Sequence, residues 1–217
     1  MHVLSLNCCG LVQKLNYPEF KDLILDYDFI CLQETKTDDV DEIELEGYKF
    51  VMKNRRKYGR IKSGGIAFAY REEYERYISV HESESKFILW VEISKELTKQ
   101  EENLFIGVVY IPPESSRYSS RDAFNEIEDE ILEIMVRNKF VLLAGDFNSR
   151  TGDCADFHDP NDFSNEFSSD IFGDLHFDLL NLSDYGISQC RKNSDSNVFG
   201  KLILQMCKSM NLFIAIG

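Results

Sequence analysis

Positive charge is scarce in this chain: 24 Lys and Arg stand against 38 Asp and Glu, giving a formal net charge of -14 and a pI near 4.7. Gripping a polyanion by bulk electrostatics needs clustered Lys and Arg, so any phosphate site here has to be local. Long apolar runs are also lacking. None reaches the roughly 18 residues of a membrane span, and Met1-His2-Val3-Leu4-Ser5-Leu6-Asn7 lacks the basic-then-apolar order of a secretory signal or transit peptide. The six cysteines, Cys8, Cys9, Cys31, Cys154, Cys190 and Cys207, show no C-x-x-C spacing. They read as reduced thiols of an intracellular protein, nuclear or cytoplasmic and not secreted. In that setting the glycosylation-type triplet Asn181-Leu182-Ser183 is a coincidence. Lys62-Ser63-Gly64-Gly65 lacks the glycine-lysine-hydroxyl order of a phosphate loop and reads as a tight turn. There is no internal repeat and no low-complexity segment.

What is present is a chain of 217 residues, 43% apolar, enough for one domain spanning 1–217. Strand-length apolar runs recur at Val3 to Leu6, Phe29 to Leu32, Ile66 to Tyr70, Phe87 to Ile93, Leu104 to Ile111 and Phe140 to Ala144. Helical periodicity appears in Phe20, Leu23, Ile24 and Tyr27 behind Pro18. It appears again in Phe124, Ile127, Ile131, Ile134 and Met135 behind the capping candidates Ser119 and Ser120. The middle strands have no helices between them and must pair largely antiparallel, while the outer ones carry crossover helices. That order predicts an α/β fold, a layered sandwich of two mixed sheets flanked by helices. From Ser149 to Ser188 the chain is polar and reads as a long loop, with a short helix near Phe172 to Leu180. A last helix bearing Phe199, Ile203, Met206, Cys207 and Met210 leads into a predicted strand, Leu212 to Ile216, that ends with the chain.

Polar residues close these apolar runs. Asn7 follows Leu6, Glu34 follows Gln33, Tyr110 follows Val109, and Asp146-Phe147-Asn148 follows Gly145. Ligands of α/β sheets sit beyond strand ends, and two residues apart on an extended backbone places Asp146 and Asn148 on one face. Glu34 is a hard carboxylate of the kind that holds Mg²⁺. The single basic patch, Lys53, Arg55, Arg56, Lys57, Arg60 and Lys62, reads equally as a solvated hairpin or a DNA-backbone contact. Asp38 to Glu46 and Glu126 to Glu133 read as solvated acidic faces.

The ordered blocks Ser5-Leu6-Asn7, Leu32-Gln33-Glu34-Thr35, Ser63-Gly64-Gly65-Ile66-Ala67, Val109-Tyr110-Ile111-Pro112-Pro113 and Leu143-Ala144-Gly145-Asp146-Phe147-Asn148 resemble the endonuclease/exonuclease/phosphatase superfamily. Within it the chain looks most like the endonuclease domains of non-LTR (LINE-type) retrotransposons, as does Arg191 to Gly200 with Ser194, Asp195, Asn197 and Gly200. The resemblance implies phosphodiester hydrolysis with Mg²⁺, or Mn²⁺, as cofactor and DNA as substrate, with no membrane and no obligate protein partner. It implies that Glu34 holds the metal, with Asn7 in the metal shell or orienting Glu34. Asp146 would orient and deprotonate the water, Asn148 would donate to a phosphate oxygen, and Tyr110 would bond the phosphate or the leaving oxygen. Nucleic-acid contacts are expected from Arg55, Arg56, Lys57, Arg60 and Arg150.

The family's later Asp and Ser-Asp-His blocks find no match. His2, His81, His158 and His176 lie in other contexts. The domain is therefore expected to be incomplete at its C-terminus, lacking its last strands, with impaired cleavage. Two rivals stand beside a DNA endonuclease: a lipid or inositol-phosphate phosphodiesterase of the same fold, favoured by the acidic charge, and an inactive retroelement remnant.

Overall fold

A computed structural model describes residues 1–55, 62–138, 140–156 and 195–215. They belong to two units, Met1–Asn148 and Ser149–Gly217. The expected helix near Phe172 to Leu180, together with His158, His176, Cys190 and the triplet at Asn181, lies outside the described residues.

The first unit is built on two four-stranded sheets. The first contains β1 (Val3–Asn7), β2 (Phe29–Gln33), β3 (Tyr48–Lys53) and β4 (Ile66–Arg71), in the order β1-β2-β4-β3. The second contains β5 (Ile78–His81), β6 (Ile88–Ile93), β7 (Leu104–Tyr110) and β8 (Val141–Asp146), in sequence order. Each sheet has one parallel pair at its margin, β1 with β2 and β7 with β8, and antiparallel pairs elsewhere. Parallel neighbours need a crossover. Helices α1 (Leu11–Lys14) and α2 (Pro18–Leu25) supply the first, and α4 (Asp122–Met135) supplies the second; a short α3 (Lys95–Thr98) joins β6 to β7. Two mixed sheets flanked by helices is the predicted architecture.

Alternation sorts the side chains into layers. Phe29 and Cys31 of β2, with Phe68 and Tyr70 of β4, meet Leu89, Val91, Ile106 and Val108 of β6 and β7 between the sheets. Phe29 and Phe68 stack with ring centroids 5.7 Å apart. Removing such a ring from water contributes about 2–3 kcal/mol. The intervening residues of β2, Ile30 and Leu32, face the other way and pack with Leu11, Phe20 and Ile24 of α1 and α2. This is why β2 is buried at all five positions and has no polar alternation. On the outside of the second sheet, Trp90 of β6 donates its indole N–H to Glu130 of α4 at 2.7 Å.

Several local expectations need correcting. Pro18 does open α2, where its missing N–H costs nothing, but Leu23 is exposed because it sits off the buried Phe20 and Ile24 stripe. Neither Ser119 nor Ser120 caps α4, whose cap position is Arg121 with no side-chain hydrogen bond. Strands β3 and β5 add to the expected apolar strands and lack their burial because both sit at sheet edges: β3 is only partly buried beyond Tyr48, and three of the four β5 residues are exposed.

In the second unit, α5 (Val198–Met210) buries Phe199, Ile203, Met206, Cys207 and Met210, as its periodicity predicts. Asn197 caps it, accepting from the Gly200 N–H at 2.7 Å, and Asn211 ends it in the left-handed conformation. Asn197 also accepts from the Arg150 N–H at 2.9 Å, and a Cβ at Gly200 would sit 1.8 Å from the Arg150 carbonyl oxygen. Asn197 and Gly200 thus have structural reasons to be where they are. The strand expected from Leu212 is not formed over residues 212–215; the Ile214 N–H instead donates to the buried Asp156 at 2.7 Å. Among the described residues no helix is long and apolar enough to cross a membrane, and Cys8, Cys9 and Cys31 are free thiols.

Candidate active site

Strand register brings the polar strand ends together. Asn7 pairs with Gln33, the residue before Glu34, and Tyr110 pairs directly with Asp146. In parallel neighbours, paired residues project to the same face, so Asn7 and Gln33 face between the sheets, as do Tyr110 and Asp146. Strict alternation would turn Glu34 away. It has φ +52 instead, a left-handed conformation that costs a non-glycine residue about 1–3 kcal/mol. The chain bends past the strand end, and the Glu34 carboxylate returns to the cluster.

There the contacts are specific. The Asn7 Nδ2 amide donates to Asp146 Oδ2 at 2.9 Å and to Glu34 Oε1 at 3.3 Å, while Asn7 Oδ1 accepts from the Cys9 N–H at 3.2 Å. Tyr110 donates its hydroxyl to Glu34 Oε1 at 2.9 Å. Lys36 lies 3.4 Å from Glu34 Oε2 and donates to Cys9 Sγ at 2.9 Å. The second Asp146 oxygen accepts from the Asn148 N–H at 2.9 Å, and the Asn148 side chain donates to the Ile111 carbonyl at 2.8 Å. Cys9, Glu34, Lys36 and Asn148 all carry positive φ. Left-handed non-glycine residues therefore gather at these strand ends, as they do at functional sites generally.

Electrostatics fix protonation states. Partial burial alone would raise the Glu34 carboxyl, but hydrogen bonds from Tyr110, Asn7 and Lys36 outweigh it and hold the group below the ordinary carboxylate range. Burial, then the bond to Glu34, pushes the Tyr110 phenol well above its usual value. Tyr110 is consequently a neutral donor at physiological pH, not a phenolate.

Hydroxyl bonds tie the Glu34 loop to the β3–β4 connection. Thr35 and Thr37, both buried, share a hydrogen bond of 2.8 Å, and Thr37 donates to Asn54 at 2.8 Å. Ser63-Gly64-Gly65 is explained by the same crowding: a Cβ at Gly65 would sit 2.3 Å from Thr35 Oγ1, and one at Gly64 would sit 2.3 Å from Arg55 Cζ. Thr35, Thr37, Asn54 and Lys36 had no role assigned from sequence. Only the threonine run beside Glu34 offered a signal.

The basic patch divides. Lys53 donates to the carbonyls of Ser83, Ser85 and Ile88 at 3.3, 2.6 and 2.7 Å, and Lys62 pairs with Asp38 and Asp41 at 2.9 and 2.6 Å. Both serve the fold. Arg55 sits over the ring of Tyr110 at the cluster, 5.3 Å from its centroid. Arg56, Lys57 and Arg60 lie outside the described residues. Arg150 belongs to the second unit, 3.5 Å from Asp195.

Two facing mixed sheets, with an amide joining carboxylates at the ends of parallel strands, define an α/β sandwich with a charged site beyond its strand ends. The chain belongs to the Endonuclease/Exonuclease/phosphatase family, whose model matches residues 4–173. In fold it is similar to the catalytic domain of Xenopus laevis APE2, at 18% identity and a TM-score of 0.51 over 73% of this chain and 60% of that one. It is also similar to a 3'-5' exonuclease (NExo) from Neisseria meningitidis, at 19% identity and a TM-score of 0.50 over 74% of this chain and 61% of that one. The chain thus spans about three fifths of the length of these structures. No curated protein matches it in sequence.

Proposed function

We propose that this chain is a divalent-metal-dependent phosphodiesterase acting on DNA, of the retrotransposon endonuclease type. The observation that carries the reading is the Asn7 amide bridging Glu34 and Asp146, with Tyr110 donating to the same Glu34 oxygen. Hydrolysing a phosphodiester needs a base for water, charge neutralisation on the phosphoryl oxygens and stabilisation of the leaving oxygen. The ordered sequence blocks, ending at the Asn197 and Gly200 segment, support the retrotransposon type.

The donor set fits Mg²⁺, or Mn²⁺ in its place: hard carboxylate oxygens, held charged by neighbouring donors. Glu34 would hold the ion. Among the described residues no group of three or more His, Cys, Asp or Glu side chains is placed to hold one; Mg²⁺ commonly keeps several waters beside one or two carboxylates, and Asn7 would assist in its shell or orient Glu34. When bound, the ion supplies charge neutralisation on the phosphate and a polarised water. The protein's own part follows from its contacts. Asn7 fixes the facing carboxylates, Asp146 accepts the proton of the attacking water, and Tyr110, whose one O–H now bonds Glu34, would turn it to the phosphate or the leaving oxygen. Asn148, held beside Asp146, offers an amide to a phosphate oxygen.

The test is nicking of supercoiled plasmid with Mg²⁺ against EDTA, alongside phosphate release from inositol lipids. Slow Mg²⁺-dependent nicking, as expected of an impaired site, that Asp146→Ala lowers further is the expected result, since removing one transition-state group costs about 100-fold. Phosphate release from inositol lipids without nicking would replace DNA by the small substrate. A folded protein inert in both assays would refute the proposal in favour of an inactive remnant.

A further inference from the structure

Beside the cluster stands a cation that makes no ion pair among the described residues. Arg55 Cζ lies 5.3 Å from the Tyr110 ring centroid and 5.1 Å from that of Tyr118. The backbone of Gly64 lies against the guanidinium: a Cβ there would meet Cζ at 2.3 Å and Nε and Nη1 at 2.6 Å. Its neighbour Asn54 is anchored by Thr37 and by Asp39, each at 2.8 Å. Two aromatic faces and a glycine, beside a neighbour whose own side chain is anchored, therefore fix this side chain, where a surface arginine would sample many rotamers.

Fixed as it is, the guanidinium has spare donors. Among the described residues Arg55 makes no ion pair with a carboxylate and donates no hydrogen bond, although a guanidinium carries five N–H donors. The other described cations of the region are already engaged. Lys36 is held by Cys9 and Glu34, Lys53 by three carbonyls and Lys62 by two aspartates. Burial also pushes the Arg55 guanidinium below its usual value, though not far enough to cost it its charge. A half-buried fork next to Tyr110, without an ion pair among the described residues, matches the geometry of a phosphate, whose oxygens accept two parallel N–H bonds.

We infer that Arg55 is the phosphate-binding cation of this site, with Tyr118 as the residue that positions it. The guanidinium takes a non-bridging oxygen of the phosphodiester whose neighbouring oxygens meet Asn148 and Tyr110. This deepens the phosphodiesterase reading and rests on it for the substrate. It also explains how a strongly acidic chain holds a polyanion: one pre-oriented arginine replaces a basic surface.

The test combines steady-state nicking, anisotropy of a fluorescein-labelled DNA duplex over a salt series, and the thermal stabilisation given by inorganic phosphate. Arg55→Ala should lower kcat/KM by about 10- to 100-fold, the worth of a charge-assisted hydrogen bond. Its salt slope should fall by about 0.9, one phosphate's worth, and phosphate should cease to stabilise it. Arg55→Lys should keep the salt slope but not the rate, because an ammonium cannot bond two oxygens side by side. Tyr118→Leu should raise KM several-fold with kcat little changed, and Tyr118→Phe, which keeps the ring, should recover most of that loss. Circular dichroism of each variant separates these effects from misfolding. Nicking, salt slope and phosphate stabilisation identical in wild type and Arg55→Ala would overturn the inference while leaving the phosphodiesterase reading intact. Phosphate stabilisation that depends on Arg55 in a protein that never nicks DNA would uphold the anion site and sink that reading.

Discussion

Asn7→Asp changes one atom and reverses what the side chain offers its neighbours. In the native protein the amide nitrogen lies 2.9 Å from Asp146 Oδ2 and 3.3 Å from Glu34 Oε1. In the variant an anionic oxygen faces both carboxylates. Like charges about 4 Å apart repel by about 1 kcal/mol in water and about 4 kcal/mol at an effective dielectric near 20. The Glu34 side chain is 22% exposed, so the cluster falls between these limits, and two hydrogen bonds are lost as well. A destabilisation of about 2–4 kcal/mol at pH 7 in EDTA follows, a fall in Tm of roughly 4–16 °C for a chain of this size. Crowding the carboxylates raises a cluster pKa in the folded state. The penalty is therefore absent below the unfolded carboxylate value and grows as pH climbs through the raised folded value. Mg²⁺ should act in the opposite sense, since a third hard oxygen strengthens its site; the Mg²⁺-induced rise in Tm should be larger in the variant than in wild type. Thermal melts followed by circular dichroism at pH 4 and 7, with EDTA or Mg²⁺, give all four numbers. Equal Tm at pH 7 in EDTA would refute the placement of Asn7 between two carboxylates. An unchanged response to Mg²⁺ would refute an ion at Glu34.

Lys53→Met removes an ammonium that bonds two carbonyls of the β5–β6 connection and that of Ile88 at the start of β6; urea denaturation should show a loss of about 2–4 kcal/mol, because the carbonyls lose that partner. The Glu34 carboxyl is held low in the fold, so the stability it contributes is complete above its ordinary value and is lost as pH falls through the lowered one. Wild type and Glu34→Gln should accordingly converge in acid and separate toward neutrality in denaturation curves, and calorimetry should show weaker Mg²⁺ binding by the variant.

The sandwich was legible because its central strands are continuous apolar runs. Phe29 to Leu32 reads as a candidate buried strand, and here it is one, covered on both faces. Asn7, Glu34, Tyr110 and Asp146 stood out for the related reason that a buried strand has no local need for a polar terminus. Edge strands gave no such signal: Tyr48–Lys53 mixes Lys49 and Lys53 among its apolar residues, and Ile78–His81 is mostly solvated. Periodicity also cannot report a dihedral angle, so the left-handed turn at Glu34 was invisible even with its carboxylate singled out. Arg55 looked like one member of a basic run. Its distinction from Lys53 and Lys62 lies in partners drawn from distant segments, Tyr110 and Tyr118 in one case and backbone carbonyls or aspartates in the others. No local pattern in the chain encodes those encounters.

The bond between Asn7 and Asp146 spans 139 residues of sequence and crosses from one sheet to the other. Neither sheet owns the site. Each can complete its own ladders without it, and loop closure of that length is entropically slow, so the proposed catalytic cluster should be among the last features to assemble during folding. The same geometry makes it sensitive to slippage. A shear of the two sheets by about 1 Å would leave every strand hydrogen bond intact yet part the amide from its carboxylates, a misplacement large enough to cost about 100-fold in rate. The layer of phenylalanines and aliphatic side chains between the sheets, remote from any substrate, is in that sense the instrument that keeps the site in focus, and trimming it should blunt activity before it unfolds the protein.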